Sequence, residues 1–113
     1  MRIEVLAEKI GAKIINPAAG ASRPVERVYA GDRMSDLLNQ ASASTLVVTN
    51  LATSQLIRVA SLMDLPAICL VNGVIPEPAL VAAASESGTA LMVSPFDMFE
   101  TCGRLYECVR NER

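Results

Sequence analysis

The sequence predicts an α/β domain built on a mostly parallel sheet of four or more strands, with helices on both faces. Three aliphatic, β-rich runs, Thr45–Thr49, 67–71 and Ala90–Val93, are each bounded by turn residues and followed by a stretch of helical period. Their starts lie roughly 22–23 residues apart, the room that one strand and one crossover helix need. Parallel neighbours are joined through such crossovers, so strand and helix alternating at this interval imply a sheet covered on both sides. No linker, low-complexity tract or charge block divides the 113 residues, which read as a single domain, 1–113.

Upstream of the repeated units, residues 5–10 read as a short helix stopped at Gly11, and 13–15 as a brief strand. Residues 16–24, with Pro17, Gly20 and Pro24, form a loop. The segment 25–29 alternates apolar and charged side chains, as a strand with one wet face does. After the turn at Gly31-Asp32, residues 34–41 make a short helix. The helix at 53–64 places Leu56, Ile57, Val59, Ala60, Leu62 and Met63 on one broad face and leaves Gln55, Arg58 and Ser61 for water. Pro66 stops it. The next helix begins near Pro78 and ends at Gly88, which suits a left-handed cap. The last starts at Ser94-Pro95-Phe96-Asp97, read as an N-cap with proline at the first position and an acid at the third. Met98, Cys102, Leu105 and Val109 then follow the spacing of a buried stripe.

Composition narrows the function classes. Hydrophobic residues make up 51% of the chain and aromatic ones only 4%, so aliphatic side chains and methionine must fill the interior. A mean hydropathy of +0.35 is high for so small a domain, which has much surface to cover. That surplus predicts an apolar face paired with a second copy in a homodimer, with helix 53–64, Met34 and Met63 as its contact surface. Ten basic and twelve acidic residues are mixed along the chain, so the basic face of a nucleic-acid binder is not expected. The segment Met1-Arg2-Ile3-Glu4 has no apolar signal core, and no apolar run approaches a membrane span. The expected location is the cytoplasm, away from any membrane.

The three cysteines, Cys69, Cys102 and Cys108, are odd in number and unclustered, which argues against a disulfide framework. Cys69, inside an aliphatic run, is read as a buried, inert thiol. Cys102 and Cys108 turn about 240° from each other on a helix and cannot share a metal from one face. Histidine is absent, which removes the commonest general base and metal ligand. Six scattered glycines form neither a dinucleotide fingerprint nor a P-loop, and no serine or cysteine triad of ordinary type can be assembled. Asp32 and Asp36, four apart at a helix start, are read as capping and solvated residues rather than as a cation site. No catalytic residue, metal or cofactor is expected.

What remains is positional. Ligands of open parallel sheets gather outside the carboxyl ends of the strands. Those ends place Asp32, Arg33, Thr49, Asn50, Asn72, Gly73 and Ser94 along one edge as candidate ligand-binding residues, with helix N-termini favouring an anion. Turns demand the same residue types on their own account.

Gly31-Asp32-Arg33-Met34-Ser35-Asp36-Leu37-Leu38, followed by Leu46-Val47-Val48-Thr49-Asn50, the stretch 68–76 and the stretch 96–106, resembles the DRTGG domain. The likeness covers nearly the whole chain, most clearly residues 25–109, and is greatest to free-standing members, often found in clusters with iron-only hydrogenase genes. Where many members carry glycine and an Asp-Arg pair after the strand's threonine, this chain has Thr49-Asn50-Leu51-Ala52; where a Thr-Gly-Gly turn is common, it has Val71-Asn72-Gly73. The resemblance implies a fold like the N-terminal domain of HPr kinase/phosphatase. It does not imply kinase activity, which belongs to a separate P-loop domain there. It implies a regulatory or scaffolding role, since DRTGG domains accompany CBS domains in regulated pyrophosphatases and precede some phosphotransacetylases. A homodimer docking on a metabolic or hydrogenase-related enzyme is the expectation that follows. A sensor of a nucleotide or other anion at the strand ends is the alternative.

Overall fold

The computed structural model describes residues 1–16 and 19–111. The elements run α1 (Ile3–Ile10), β1 (Lys13–Ile14), a 3₁₀ turn (Ala19–Ser22), β2 (Arg27–Ala30), α2 (Met34–Gln40), β3 (Thr45–Thr49), α3 (Ser54–Leu62), β4 (Ala67–Leu70), α4 (Pro78–Ser87), β5 (Ala90–Val93) and α5 (Met98–Asn111). Of the loop expected at 16–24, residues 17 and 18 lie outside the described residues.

The strands form one sheet in the order β1-β5-β4-β3-β2. β2 to β5 are parallel and adjacent in sequence order, while β1 pairs antiparallel with β5 at the edge. Three successive right-handed crossovers stepping in one direction must leave their helices on one face. Accordingly Leu37 of α2, Leu56, Ile57 and Ala60 of α3 and Leu80 and Ala84 of α4 share a core with Val47, Ile68, Leu70 and Leu91. The opposite face carries α1 and α5, whose Ile3, Leu6, Ile10 and Leu105 pack on Leu46, Val48, Ala67, Cys69 and Met92. Alternate residues of each central strand thus enter different cores, which is why those strands read as unbroken aliphatic runs.

Several boundaries differ from the sequence expectation for identifiable reasons. Helix α1 starts at Ile3 rather than residue 5, because Ile3 N donates to Arg23 O at 3.0 Å and Arg2 forms an isolated bridge with Pro24. Strand β2 begins at Arg27, since Val25 turns into the α1 core and its N–H donates to Met1 O at 2.8 Å. On α3, Leu56, Ile57, Val59 and Ala60 are buried and Met63 packs on the same core, as does Met34. Leu62 is 81% exposed. At 100° per residue it lies about 60° beyond Val59, off the edge of the packed face. The apolar face expected on helix 53–64 is therefore largely covered by its own chain. Gly11 and Gly88 cap α1 and α4 in the left-handed region at φ 78° and 76°.

The amino ends of the strands are tied by side chains. Arg23 Nη2 donates to Ala43 O at 2.7 Å and to Asp64 O at 3.0 Å, while Nη1 meets Asp64 Oδ1 at 3.1 Å. Buried Asn16 donates through Nδ2 to Thr89 O (3.0 Å) and Ser85 Oγ (3.1 Å), and its Oδ1 accepts from Leu91 N at 2.7 Å. Where β1 ends, the Asn16 amide thus completes the hydrogen bonding of the neighbouring strand. Gly20 lets the 3₁₀ turn close against this end: a Cβ there would stand 1.8 Å from Pro66 O.

Candidate functional site

The carboxyl ends of β2, β3, β4 and β5 open onto one edge of the sheet. Asp32, in the β2–α2 turn, does not cap α2, whose N-cap residue is Arg33 with no side-chain capping bond. Its Oδ1 instead reaches sideways to β3, accepting from Thr49 Oγ1 at 3.0 Å and Asn50 N at 2.7 Å. The backbone N–H of Asn50 holds the Asp32 carboxyl below the ordinary carboxylate range; burial is the next largest influence and opposes it, and the side chains of Thr49 and Asn50 add smaller lowering contributions. Thr49 is buried and its Oγ1 also accepts from Leu51 N at 3.1 Å.

The chain of contacts continues to β4. Asn72 Nδ2 donates to Asn50 Oδ1 at 3.1 Å. Asn72 and Gly73 both lie in the left-handed region, at φ 63° and 60°, which asparagine and glycine adopt more readily than other residues. This turn presents Asn72 N to Phe96 O at 2.7 Å and Gly73 N to Ser94 O at 2.8 Å, joining the β4 and β5 loops.

Ser94 is fully buried. Its hydroxyl is 2.7 Å from Thr101 Oγ1 and accepts from Phe96 N at 3.2 Å. It braces the loop and is not open to solvent. The cap of α5 is Asp97, whose Oδ1 accepts from Glu100 N at 2.8 Å, so the helix starts at Met98, beyond the position read from Ser94-Pro95. Arg33 stands apart, with an 80% exposed side chain and only a 3.9 Å approach to Asp36. Of the seven candidates, then, Asp32, Thr49, Asn50 and Asn72 form one hydrogen-bonded chain, Gly73 and Ser94 join it through the backbone, and Arg33 does not. Chemically this chain offers amides, one ionised carboxylate and one hydroxyl, that of Thr49, which donates to the carboxylate from a fully buried position.

One feature of the same edge was not read from the sequence. Helices α4 and α5 leave β4 and β5 toward opposite faces, the arrangement that opens a crevice in parallel sheets. A groove of about 360 Å³ lies there, lined by Gly11, Lys13, Ile15, Val74, Ile75 and Pro95 among others. Lys13 reaches it because β1 runs antiparallel and sets Lys13 opposite Val93. The signal available in the sequence was Val74-Ile75-Pro76, apolar residues in a loop just before a helix; Ile75 is 91% exposed.

This architecture defines the chain as an α/β domain of DRTGG-like fold. Among solved structures it is similar to the crystal structure of the CBS and DRTGG domains of the regulatory region of Clostridium perfringens pyrophosphatase, complexed with the activator diadenosine tetraphosphate. The TM-score is 0.71 at 10% sequence identity, over 92% of this chain and 45% of that one. The chain thus spans less than half the length of that structure. No family model matches the sequence, and no curated protein matches it.

Proposed function

We propose that the chain is a non-catalytic regulatory or scaffolding domain that acts by self-association and by docking on a metabolic or redox enzyme, a hydrogenase-related protein included. The observation that carries this reading is how the strand-end polar groups are used. Asp32, Thr49, Asn50, Asn72 and Ser94 bond mainly to one another and to loop backbone, which holds the loops still rather than presenting reactive groups. Exposed Phe99, Tyr106, Ile75 and Leu62 provide the apolar surface that association needs. The likeness to a pyrophosphatase regulatory region supports the same class by fold analogy. Sedimentation velocity over a wide concentration range tests it: a concentration-dependent dimer is expected, and a monomer throughout overturns it.

The second reading, a small-molecule sensor, is favoured by the groove at the β4–β5 ends with Lys13 on its lining, which suits an anion. Thermal-shift measurements with adenine nucleotides, diadenosine tetraphosphate and acyl phosphates separate the two. A saturable rise in melting temperature supports the sensor, and Lys13→Ala should abolish it.

A further inference from the structure

Helix α5 is amphipathic inward, with Thr101 and Leu105 buried and Met98, Cys102 and Cys108 packed on the α1 core. Its outer face carries a second stripe that the single chain does not use. Phe99, Gly103, Tyr106 and Arg110 are spaced four, three and four apart, so they form one line along the solvent side. Phe99 is 87% and Tyr106 66% exposed, large aromatic surfaces on a flank of the helix turned roughly 100–120° from buried Leu105. Gly103 between them has nothing within 4 Å of where a Cβ would stand. A glycine inside a helix weakens it relative to alanine, and no close approach among the described residues requires one.

A requirement appears when a second copy is laid against the stripe. In an antiparallel pair the line is self-complementary: Tyr106 faces Gly103 of the second copy, and Phe99 faces Arg110 of the second copy. The missing Cβ makes room for the phenol ring. The guanidinium of Arg110, which has no ion pair among the described residues, meets an aromatic face there. The same chain already stacks a guanidinium on an aromatic ring, with Arg104 Cζ 3.8 Å from the Phe96 ring centre. Antiparallel packing also opposes the two helix dipoles favourably. The surface continues past Tyr106 into an apolar hollow of about 200 Å³ between α5 and strand β2, where Val28, Ala30, Cys102 and Val109 are its lining.

We infer that the self-association surface is the Phe99–Gly103–Tyr106–Arg110 stripe of α5, and that its occupant is the same stripe of a second copy related by two-fold symmetry. This rests on the self-association reading and locates it on α5 rather than on α3. The test is sedimentation equilibrium of the full chain and of three variants. Gly103→Gln adds a side chain where the single chain has open space, so it should leave the fold and its circular dichroism intact while raising the dimer dissociation constant more than about tenfold. Phe99→Ser should act in the same direction. Leu62→Ser, on the exposed flank of α3, should leave association unchanged. A wild-type dissociation constant for Gly103→Gln and Phe99→Ser overturns the α5 surface while self-association stands, and weakening confined to Leu62→Ser moves the interface to α3. A wild-type chain that stays monomeric overturns self-association itself, and with it this surface.

Discussion

Asp32 Oδ1 accepts two hydrogen bonds from β3, from Thr49 Oγ1 at 3.0 Å and from Asn50 N at 2.7 Å, and so clamps the β2–α2 turn to the neighbouring strand end. Both donors favour the ionised carboxylate. The folded pKa of Asp32 lies below its ordinary value of 3.8, so the clamp contributes stability that is fully present above that value and is lost as pH falls through the lowered one. Because Asp32 is exposed, Asp32→Ala should destabilise by only about 1 kcal/mol at neutral pH. Urea melts at pH 7 and below pH 3 check this. The difference between variant and wild type should shrink at the acid end, and a constant difference would contradict the clamp.

Asn16 closes the other end of the sheet from a buried position, where water cannot replace its partners. Removing its amide orphans Leu91 N and Thr89 O together. Asn16→Ala should therefore cost roughly 2–4 kcal/mol, well above Asp32→Ala despite a similar number of bonds. Equilibrium denaturation of both variants ranks them directly, and equal losses would show that burial does not set the difference.

The three thiols should separate by reactivity. Burial, with a smaller contribution from the neighbouring Cys102, pushes the Cys69 thiol up to about 12, so at pH 8 it stays protonated as well as inaccessible. Partial burial raises Cys102 too. Native protein treated with iodoacetamide at pH 8 should leave Cys69 unmodified, label Cys102 slowly, and take up three labels only once unfolded. Peptide mapping reads the sites, and early labelling of Cys69 would contradict its place in the core.

The central strands were legible because β3, β4 and β5 lie between two helix layers, so every residue had to be aliphatic or able to bond in the interior. Pro78 and Gly88 marked α4 because each satisfies a local backbone requirement at a helix end. The start of α5 was misplaced because Ser94 and Asp97 are both good caps by residue type, and only the tertiary partner Thr101 takes the Ser94 hydroxyl away. Leu62 misled for a related reason, since a helical period counts apolar residues but not the width of the face that the sheet can cover. At the candidate site, the edge shared by the strand ends followed from parallel topology alone. The Lys13 groove did not, because it depends on the antiparallel register of the short strand β1 against β5.

Self-association is tested most directly by the mass in solution. Multi-angle light scattering of the full 12.0 kDa chain at micromolar concentration should return about twice that mass, falling toward the monomer on dilution. A mass near 12.0 kDa at every concentration would contradict it.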